Sequence, residues 1–187
     1  MAPPRQKPPR SKQDYCTPDD FLRAVTRLLG IQAFAFDLAA DATNAVTRSH
    51  SRCYYDDEAD RYYDEEDDAL SQDWVALWKN LPARPGDWFW LNPPFGQIAD
   101  WAAKCDVSAG WHGGPHHSGM RIAFLVPASV GSNWFQDSVM GAAMVLFLKG
   151  RLAFMPDKPS WLYPKDCLLA LYGLPPGYNV WSWRDDV

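Results

Sequence analysis

The segment Asn92-Pro93-Pro94-Phe95 places an amide, two rigid prolines and an aromatic ring in four consecutive residues. The side-chain oxygen of Asn92 and the main-chain carbonyl of Pro93 both accept hydrogen bonds, and the prolines fix the backbone that directs them. The ring of Phe95 offers a flat face on which a base can stack. We therefore interpret these four residues as a candidate catalytic site that holds a planar amino group.

The chemistry of such a site follows from the weak nucleophilicity of a conjugated amino nitrogen. Two acceptors that bind its hydrogens direct the lone pair toward an incoming methyl group. Adenine N6, cytosine N4, adenine in RNA and a protein glutamine amide all present such a nitrogen. A base in a duplex would first be flipped out, and stacking on Phe95 would recover roughly 1–3 kcal/mol of that cost. A plain turn is the alternative, because Asn-Pro and Pro-Pro are common turn dipeptides.

The surrounding elements place this segment at the end of a strand. The apolar run 88–91 predicts a buried strand before it, and the amphipathic stretch 98–105 predicts a helix after it. Open α/β sheets bind their ligands at such carboxyl ends. Further strands are predicted at 34–38, 121–126, 143–148, 167–172 and 178–183, with helices at 17–30 and 132–140. The pattern predicts an α/β fold with a mostly parallel sheet and an antiparallel edge near the C-terminus.

The first predicted helix begins at Thr17-Pro18-Asp19-Asp20. We expect Thr17 to cap it, Pro18 to occupy the first helical position, and Gly30 to end it. A short helix is expected to open at 68–70, with a turn at 82–86 and a flexible loop at 106–120. The loop contains three histidines (His112, His116, His117) without a complete set of metal ligands, so no metal site is predicted.

The charge distribution is uneven. The chain of 187 residues has a formal net charge of −5, but ten acidic residues lie between positions 56 and 73, and the remainder is net positive. A basic face is therefore compatible with the composition. Lys149, Arg151 and Lys165 are candidate DNA phosphate contacts, with simple surface solvation as the alternative.

Composition also predicts the domain organisation and location. Residues 1–13 carry four prolines and four basic residues, and we expect a disordered tail followed by one domain over 14–187. This tail resembles neither a signal peptide nor a membrane anchor. The four cysteines are widely spaced, as in a protein with reduced thiols, so a cytoplasmic location is expected.

Several segments in one order give a resemblance to the phage-type DNA N-6-adenine methyltransferases, small enzymes of phages and prophages. The similar segments extend from about residue 15 to about residue 172 and are Tyr15-Cys16-Thr17-Pro18-Asp19, Phe36-Asp37-Leu38-Ala39-Ala40, Asn44-Ala45, Tyr62-Tyr63, Asp67-Asp68-Ala69-Leu70, Asp73-Trp74, Trp90-Leu91-Asn92-Pro93-Pro94-Phe95, Leu125-Val126-Pro127-Ala128, Trp134-Phe135 and Phe147-Leu148-Lys149-Gly150-Arg151-Leu152-Ala153-Phe154.

This resemblance implies a Rossmann-like fold, S-adenosylmethionine as methyl donor, and adenine in double-stranded DNA as acceptor. It implies no metal and no membrane. The residues that it assigns to the donor pocket are Thr17, Pro18, Asp37, Ala39, Ala40 and Asp68. Asp37 would face the donor's charged amino group, and Asp68 would bind its ribose. Alanines stand where many methyltransferases have a glycine-rich turn. A non-catalytic DNA-binding or host-interaction protein is an alternative from a different functional class.

Overall fold

A computed structural model describes residues 16–40, 62–63, 66–81, 87–110, 118–154 and 162–186. Several predictions concern residues outside this part of the chain. They are the tail at 1–13, the turn at 82–86, most of the acidic segment at 56–65, and the histidines His112, His116 and His117. The division into a tail and one domain over 14–187 therefore stays a prediction.

The described helices are four α-helices and two short 3₁₀ helices. They are α1 (Asp19–Leu29), α2 (Trp74–Asn80), α3 (Ile98–Ala109) and α4 (Asn133–Ser138), with 3₁₀ helices at Phe95–Gln97 and Trp183–Asp186. Gly30 ends α1 in the left-handed conformation, as predicted. The short helix expected to open at 68–70 does not begin there: a turn occupies these residues, and α2 begins at Trp74. Helix α3 extends four residues beyond the predicted Cys105, so residues 106–109 of the expected flexible loop are helical.

Six strands form one sheet. They are β1 (Phe36–Asp37), β2 (Phe89–Leu91), β3 (Ile122–Pro127), β4 (Ala143–Leu148), β5 (Cys167–Tyr172) and β6 (Gly177–Trp181), in the order β1-β2-β3-β5-β4-β6. Strand β1 pairs with β2 in parallel, and β2 pairs with β3 in parallel. The alternation of strands and helices along the sequence therefore does produce a mixed, mostly parallel α/β sheet.

The prediction of an antiparallel edge near the C-terminus is wrong in position. The antiparallel strand is β5, which lies inside the sheet between β3 and β4, whereas the edge strand β6 is parallel to β4. All six residues of β5 are buried, and three of the five residues of β6 are exposed. A continuous apolar run such as Cys-Leu-Leu-Ala-Leu-Tyr suits a central strand, since both of its faces are covered.

Alternate residues of the strands face two separate apolar clusters. On one face, Phe89, Leu91 and Phe124 pack with residues of α3 and α4 such as Trp101 and Phe135. On the other face, the sheet packs against α1 and the second 3₁₀ helix, through buried side chains that include Trp90, Leu125, Phe21 and Trp183. Helices thus cover both faces, and the ligand-accessible part of the sheet is its edge at the strand ends.

The start of α1 differs from the prediction. The helix begins at Asp19, Pro18 is its N-cap residue, and no side chain caps it. Thr17 lies one residue too early to act as the cap, and its hydroxyl instead accepts a hydrogen bond from Asn92. The acidic pair Asp19 and Asp20 still occupies the first turn, where negative charge favours the helix dipole.

Two absences hold for the described part of the chain. No helix there is long and apolar enough to span a membrane. Among the same residues, no group of three or more His, Cys, Asp or Glu side chains is placed to hold a metal ion.

We expect Tyr172→Phe to destabilise the protein by about 1–3 kcal/mol, because it removes a buried hydrogen bond. The fully buried Tyr172 hydroxyl donates to the main-chain carbonyl of Ser138 at 2.8 Å and so ties β5 to the end of α4. Urea unfolding measures the change. Tyr178→Phe is the matched control, because Tyr178 is 53% exposed on β6, and its effect should stay within about 0.5 kcal/mol. Equal effects of the two variants would contradict this role.

Candidate active site

The turn after β1 is held on both sides by backbone hydrogen bonds. The Leu38 amide donates to the Trp90 carbonyl of β2 at 2.9 Å. On the opposite side, the Ala40 amide donates to the Tyr63 carbonyl at 2.9 Å, and the Tyr63 amide donates to the Asp37 carbonyl at 3.0 Å. Asp37 also forms an isolated parallel bridge with Tyr62. The segment 37–40, which the resemblance assigns to the donor pocket, is therefore a fixed turn at a strand's carboxyl end.

Asp37 places a carboxylate inside this turn. Its side chain is 2% exposed, and Oδ1 accepts a hydrogen bond from the Ala39 amide at 3.3 Å. Ala39 and Ala40 are half-buried and carry only methyl side chains, so they allow a ligand to approach the backbone closely. A buried negative charge beside small residues is suited to a cationic group on a ligand.

Asn92 is the first residue after β2, and its carboxamide is anchored to a distant part of the chain. Its Nδ2 donates a hydrogen bond to the Thr17 hydroxyl oxygen at 3.0 Å, across 75 residues of sequence. The Oδ1 atom is buried. Pro93 is buried and Pro94 exposed, so the backbone passes from the core to the surface within two residues. The structure thus brings together Thr17 and Asn92, which the sequence assigned to different pockets.

Phe95 belongs to an aromatic cluster of three residues with Phe154 and Tyr163. The Phe95 ring lies 6.3 Å from Phe154 and 5.7 Å from Tyr163, and these two rings lie 5.4 Å apart, all in edge-to-face geometry. Phe95 is half-buried, whereas Phe154 and Tyr163 are buried. The connection between β4 and β5 thus supports the ring that would stack on a base. Sequence reasoning did not single out Tyr163.

Tyr63 lines the outer side of the turn after β1. Its ring contacts Phe36 at 4.9 Å in a T-shaped pair. Burial, followed by the negative charges of Asp67 and Asp73, raises the pKa of Tyr63, so its hydroxyl keeps its proton at neutral pH. The Tyr63 hydroxyl can therefore donate a hydrogen bond beside the turn after β1. In the sequence, the only sign of this role is its position in the Tyr62-Tyr63 pair.

Asp68 lies in a separate turn. It is exposed, its φ of 46° is in the left-handed region, and its carbonyl accepts hydrogen bonds from the amide and hydroxyl of Ser71, both at 2.8 Å. The next residue, Ala69, packs in the apolar cluster that also contains Phe36 and Leu38. That shared cluster places the turn on the same face as the end of β1. Contact between Asp68 and a donor ribose stays a prediction.

The three predicted DNA contacts lie at the same sheet edge as Asn92. Lys149 and Arg151 follow β4, which runs in the same direction as β1 and β2, and Lys165 precedes β5, which runs the opposite way. All three side chains are exposed. Arg151 forms an ion pair with Asp166 at 3.4 Å, and such an exposed pair contributes little to stability.

Arg184 is a further basic residue at this edge that sequence reasoning missed. Its guanidinium donates to the carbonyls of Arg151 at 2.7 Å and Lys149 at 3.4 Å, and it lies over the Trp183 ring at 4.3 Å. The last 3₁₀ helix therefore fastens the segment that carries Lys149 and Arg151. In the sequence, the one sign of this role is that Arg184 directly follows a tryptophan, which is buried in the structure.

The two buried thiols are unsuited to nucleophilic chemistry. Burial, with a smaller effect of Asp166, raises the pKa of Cys167 to about 12. Burial, with a smaller effect of Asp106, also raises the pKa of Cys105. Both thiols therefore stay protonated at neutral pH, and a thiolate is the reactive form.

We expect Gly150→Ala to destabilise the protein by about 1–2 kcal/mol, because Gly150 adopts a φ of +87° that a Cβ disfavours. A Cβ there would also collide with Nη1 of Arg184, so the guanidinium would leave its carbonyl partners. Gly131→Ala is the control, since Gly131 has open space around it. Thermal unfolding of both variants tests this, and a neutral Gly150→Ala would contradict the described arrangement.

The comparison with known protein families agrees with the geometry of this edge. Residues 6–161 match the family described as DNA N-6-adenine-methyltransferase (Dam). The match includes Thr17, Asp37 and the segment Asn92-Pro93-Pro94-Phe95, and it ends before Lys165 and Arg184. None of the curated proteins matches the chain. Because the matched residues make up well over half of the chain, it belongs to the DNA N-6-adenine-methyltransferase family.

Proposed function

We propose that this protein transfers a methyl group from S-adenosylmethionine to the N6 amino group of an adenine flipped out of double-stranded DNA. The observation that carries the proposal is the Asn92 carboxamide, fixed by Thr17 at the carboxyl end of β2. The family match supports the same reaction.

The residues around the turn after β1 fit the methyl donor. S-adenosylmethionine supplies a methyl group on a positively charged sulfur and carries a cationic amino group. Asp37 provides a buried carboxylate for that amino group, and Ala39 and Ala40 leave room beside the backbone. We assign Thr17 and Pro18 to the boundary between this pocket and the acceptor site, and Asp68 to the ribose.

The acceptor side follows from the chemistry of Asn92 and Pro93. The Asn92 Oδ1 and the Pro93 carbonyl would each accept one hydrogen of the amino group, which directs the nitrogen lone pair out of the ring plane. The nitrogen forms its new bond with that pair, the donor's sulfur keeps the pair of the broken bond, and a proton leaves to water. Phe95, braced by Phe154 and Tyr163, would stack on the base.

The fold assignment that suits this function is a Rossmann-like methyltransferase domain over 14–187. Its support is a mostly parallel sheet with helices on both faces and both candidate pockets at the carboxyl ends of adjacent strands. The two buried protonated thiols suit a reducing compartment, and we place the protein with its DNA in the cytoplasm of a bacterial or phage-infected cell.

We expect Asn92→Ala to lower the methyl-transfer rate constant by about 10²-fold or more, the scale of losing one preorganised hydrogen-bonding group. Affinity for S-adenosylmethionine should change little, because the Asn92 side chain is assigned to the acceptor and the donor contacts are assigned to other residues. Transfer is measured as methyl incorporation into DNA in a single turnover, and donor affinity by calorimetry. Asn179→Ala is the matched control, because Asn179 is exposed on the edge strand β6.

The identity of the product decides among the possible acceptors. Nucleoside mass spectrometry of the treated DNA should show N6-methyladenine. Detection of N4-methylcytosine, of methylated RNA, or of a methylated protein glutamine beside unmodified DNA would each show that the substrate differs from the proposed one. A protein that binds DNA but gives no heat with S-adenosylmethionine would be a non-catalytic relative. Transfer by Asn92→Ala at the parent rate would refute the role given to Asn92.

Lys149, Arg151 and Lys165 are proposed to contact DNA phosphates. We expect the double substitution Lys149→Ala, Lys165→Ala to reduce the slope of log affinity against log salt by about 1–2, because each phosphate contact adds about 0.9. Fluorescence anisotropy with a duplex at several salt concentrations measures it. Lys79→Ala is the control, since Lys79 is exposed near the end of α2, before the amino end of β2. An unchanged slope in the double variant would show that Lys149 and Lys165 do not contact DNA phosphates.

A further inference from the structure

We propose that Thr17 is a positioning residue that holds the Asn92 carboxamide in the orientation that the structure shows; this inference rests on the proposed function. The two ends of a carboxamide differ in chemistry, because the nitrogen only donates hydrogen bonds and the oxygen only accepts them. The Thr17 hydroxyl oxygen accepts from Asn92 Nδ2 at 3.0 Å. That contact turns the nitrogen toward Thr17 and leaves the oxygen end directed away from it.

Thr17 is itself held rigidly. It precedes Pro18, which restricts the backbone of the residue before it. Pro18 has φ −61° and ψ 137°, and its carbonyl accepts from the Leu22 amide at 3.0 Å in the first turn of α1. Helix α1 is anchored by the fully buried Phe21, whose ring lies 5.2 Å from Trp183. The hydroxyl of Thr17 is therefore a fixed reference for the carboxamide.

The orientation matters because an amino group has two hydrogens to donate. In a reversed carboxamide, the Nδ2 hydrogens of Asn92 would face the hydrogens of the substrate's amino group, and these two hydrogen-bond donors would repel each other. A fixed orientation also removes a reorganisation step when the base arrives, which is the advantage of a preorganised site. Thr17 should therefore act on the rate constant of transfer. If Thr17 instead lines the donor pocket, as the resemblance implies, its substitution should lower the affinity for the methyl donor.

Three threonine variants separate these roles. Thr17→Val keeps the shape and removes the hydroxyl, and Thr17→Ser keeps the hydroxyl. Thr26→Val is the control, because the Thr26 hydroxyl donates to the Arg23 carbonyl at 3.0 Å within α1. We expect Thr17→Val to lower the single-turnover rate constant about tenfold, the factor for one typical hydrogen bond, with donor affinity within about twofold. Thr17→Ser and Thr26→Val should stay within about threefold of the parent.

A double-mutant cycle tests whether Thr17 acts through Asn92. If it does, Thr17→Val should have an effect of at most about twofold when it is added to Asn92→Ala, because the group it positions is gone. An equal loss in both backgrounds would overturn the inference. A weaker donor affinity with an unchanged rate constant, or a Thr17→Ser variant as slow as Thr17→Val, would overturn it as well.

A measurement that does not depend on activity separates this inference from the proposed function. In ¹⁵N-labelled protein, the side-chain amide signals of Asn92 are identified by their loss in Asn92→Ala. Their relaxation should report a rigid amide in the parent and Thr17→Ser, and a mobile one in Thr17→Val. If the parent methylates no DNA, the proposed function fails while this result still decides the role of Thr17. Equal rigidity in the parent and Thr17→Val would refute it.

Discussion

The parallel pairing of β1 with β2 is the constraint on which both candidate pockets depend. The pairing is short, with only Phe36 opposite Phe89 and Asp37 opposite Trp90. Because the strands run in the same direction, the turn that holds Asp37 and the loop that begins at Asn92 leave the sheet next to each other. The Leu38 amide extends the pairing by one hydrogen bond to Trp90. The candidate donor turn and the candidate acceptor loop thereby become neighbours at one end of the sheet.

The remaining strands place the basic residues and the aromatic rings behind Phe95 at the same end of the sheet. Strand β5 runs antiparallel inside the sheet, so the connection that enters it must return to the edge where β4 ends. That connection contains Lys149, Arg151 and Lys165, and it also supplies the buried rings behind Phe95. Arg184 holds the start of the connection through two carbonyls. One reversal of strand direction therefore brings the proposed phosphate contacts close to the ring that is proposed to stack on the base.

Local signals were sufficient for most of the described strands and helices and for the position of Asn92 after a strand. Strands β4 and β5 occupy the residues that their apolar runs predicted, and Asn92 follows a buried strand as expected. The order of the strands was not predictable in the same way. Whether β5 lies at an edge or between two neighbours depends on pairing with residues far away in sequence, and its fully apolar composition was the one available sign. The short helix expected to open at 68–70 begins instead at Trp74, because the Asp73 side chain caps it by accepting from the Ala76 amide.

Thr17 shows how a tertiary contact overrides a local preference. A threonine before Pro-Asp-Asp is a good N-cap by type, and capping would satisfy an amide of the first turn. Because the helix begins one residue later than the pattern predicts, the hydroxyl is left for Asn92, 75 residues away. Helix α1 packs on the face of the sheet opposite to α3, which follows the acceptor loop. The hydrogen bond therefore links the two sides of the sheet at its edge, and a shift of α1 would move the hydroxyl that the carboxamide contacts.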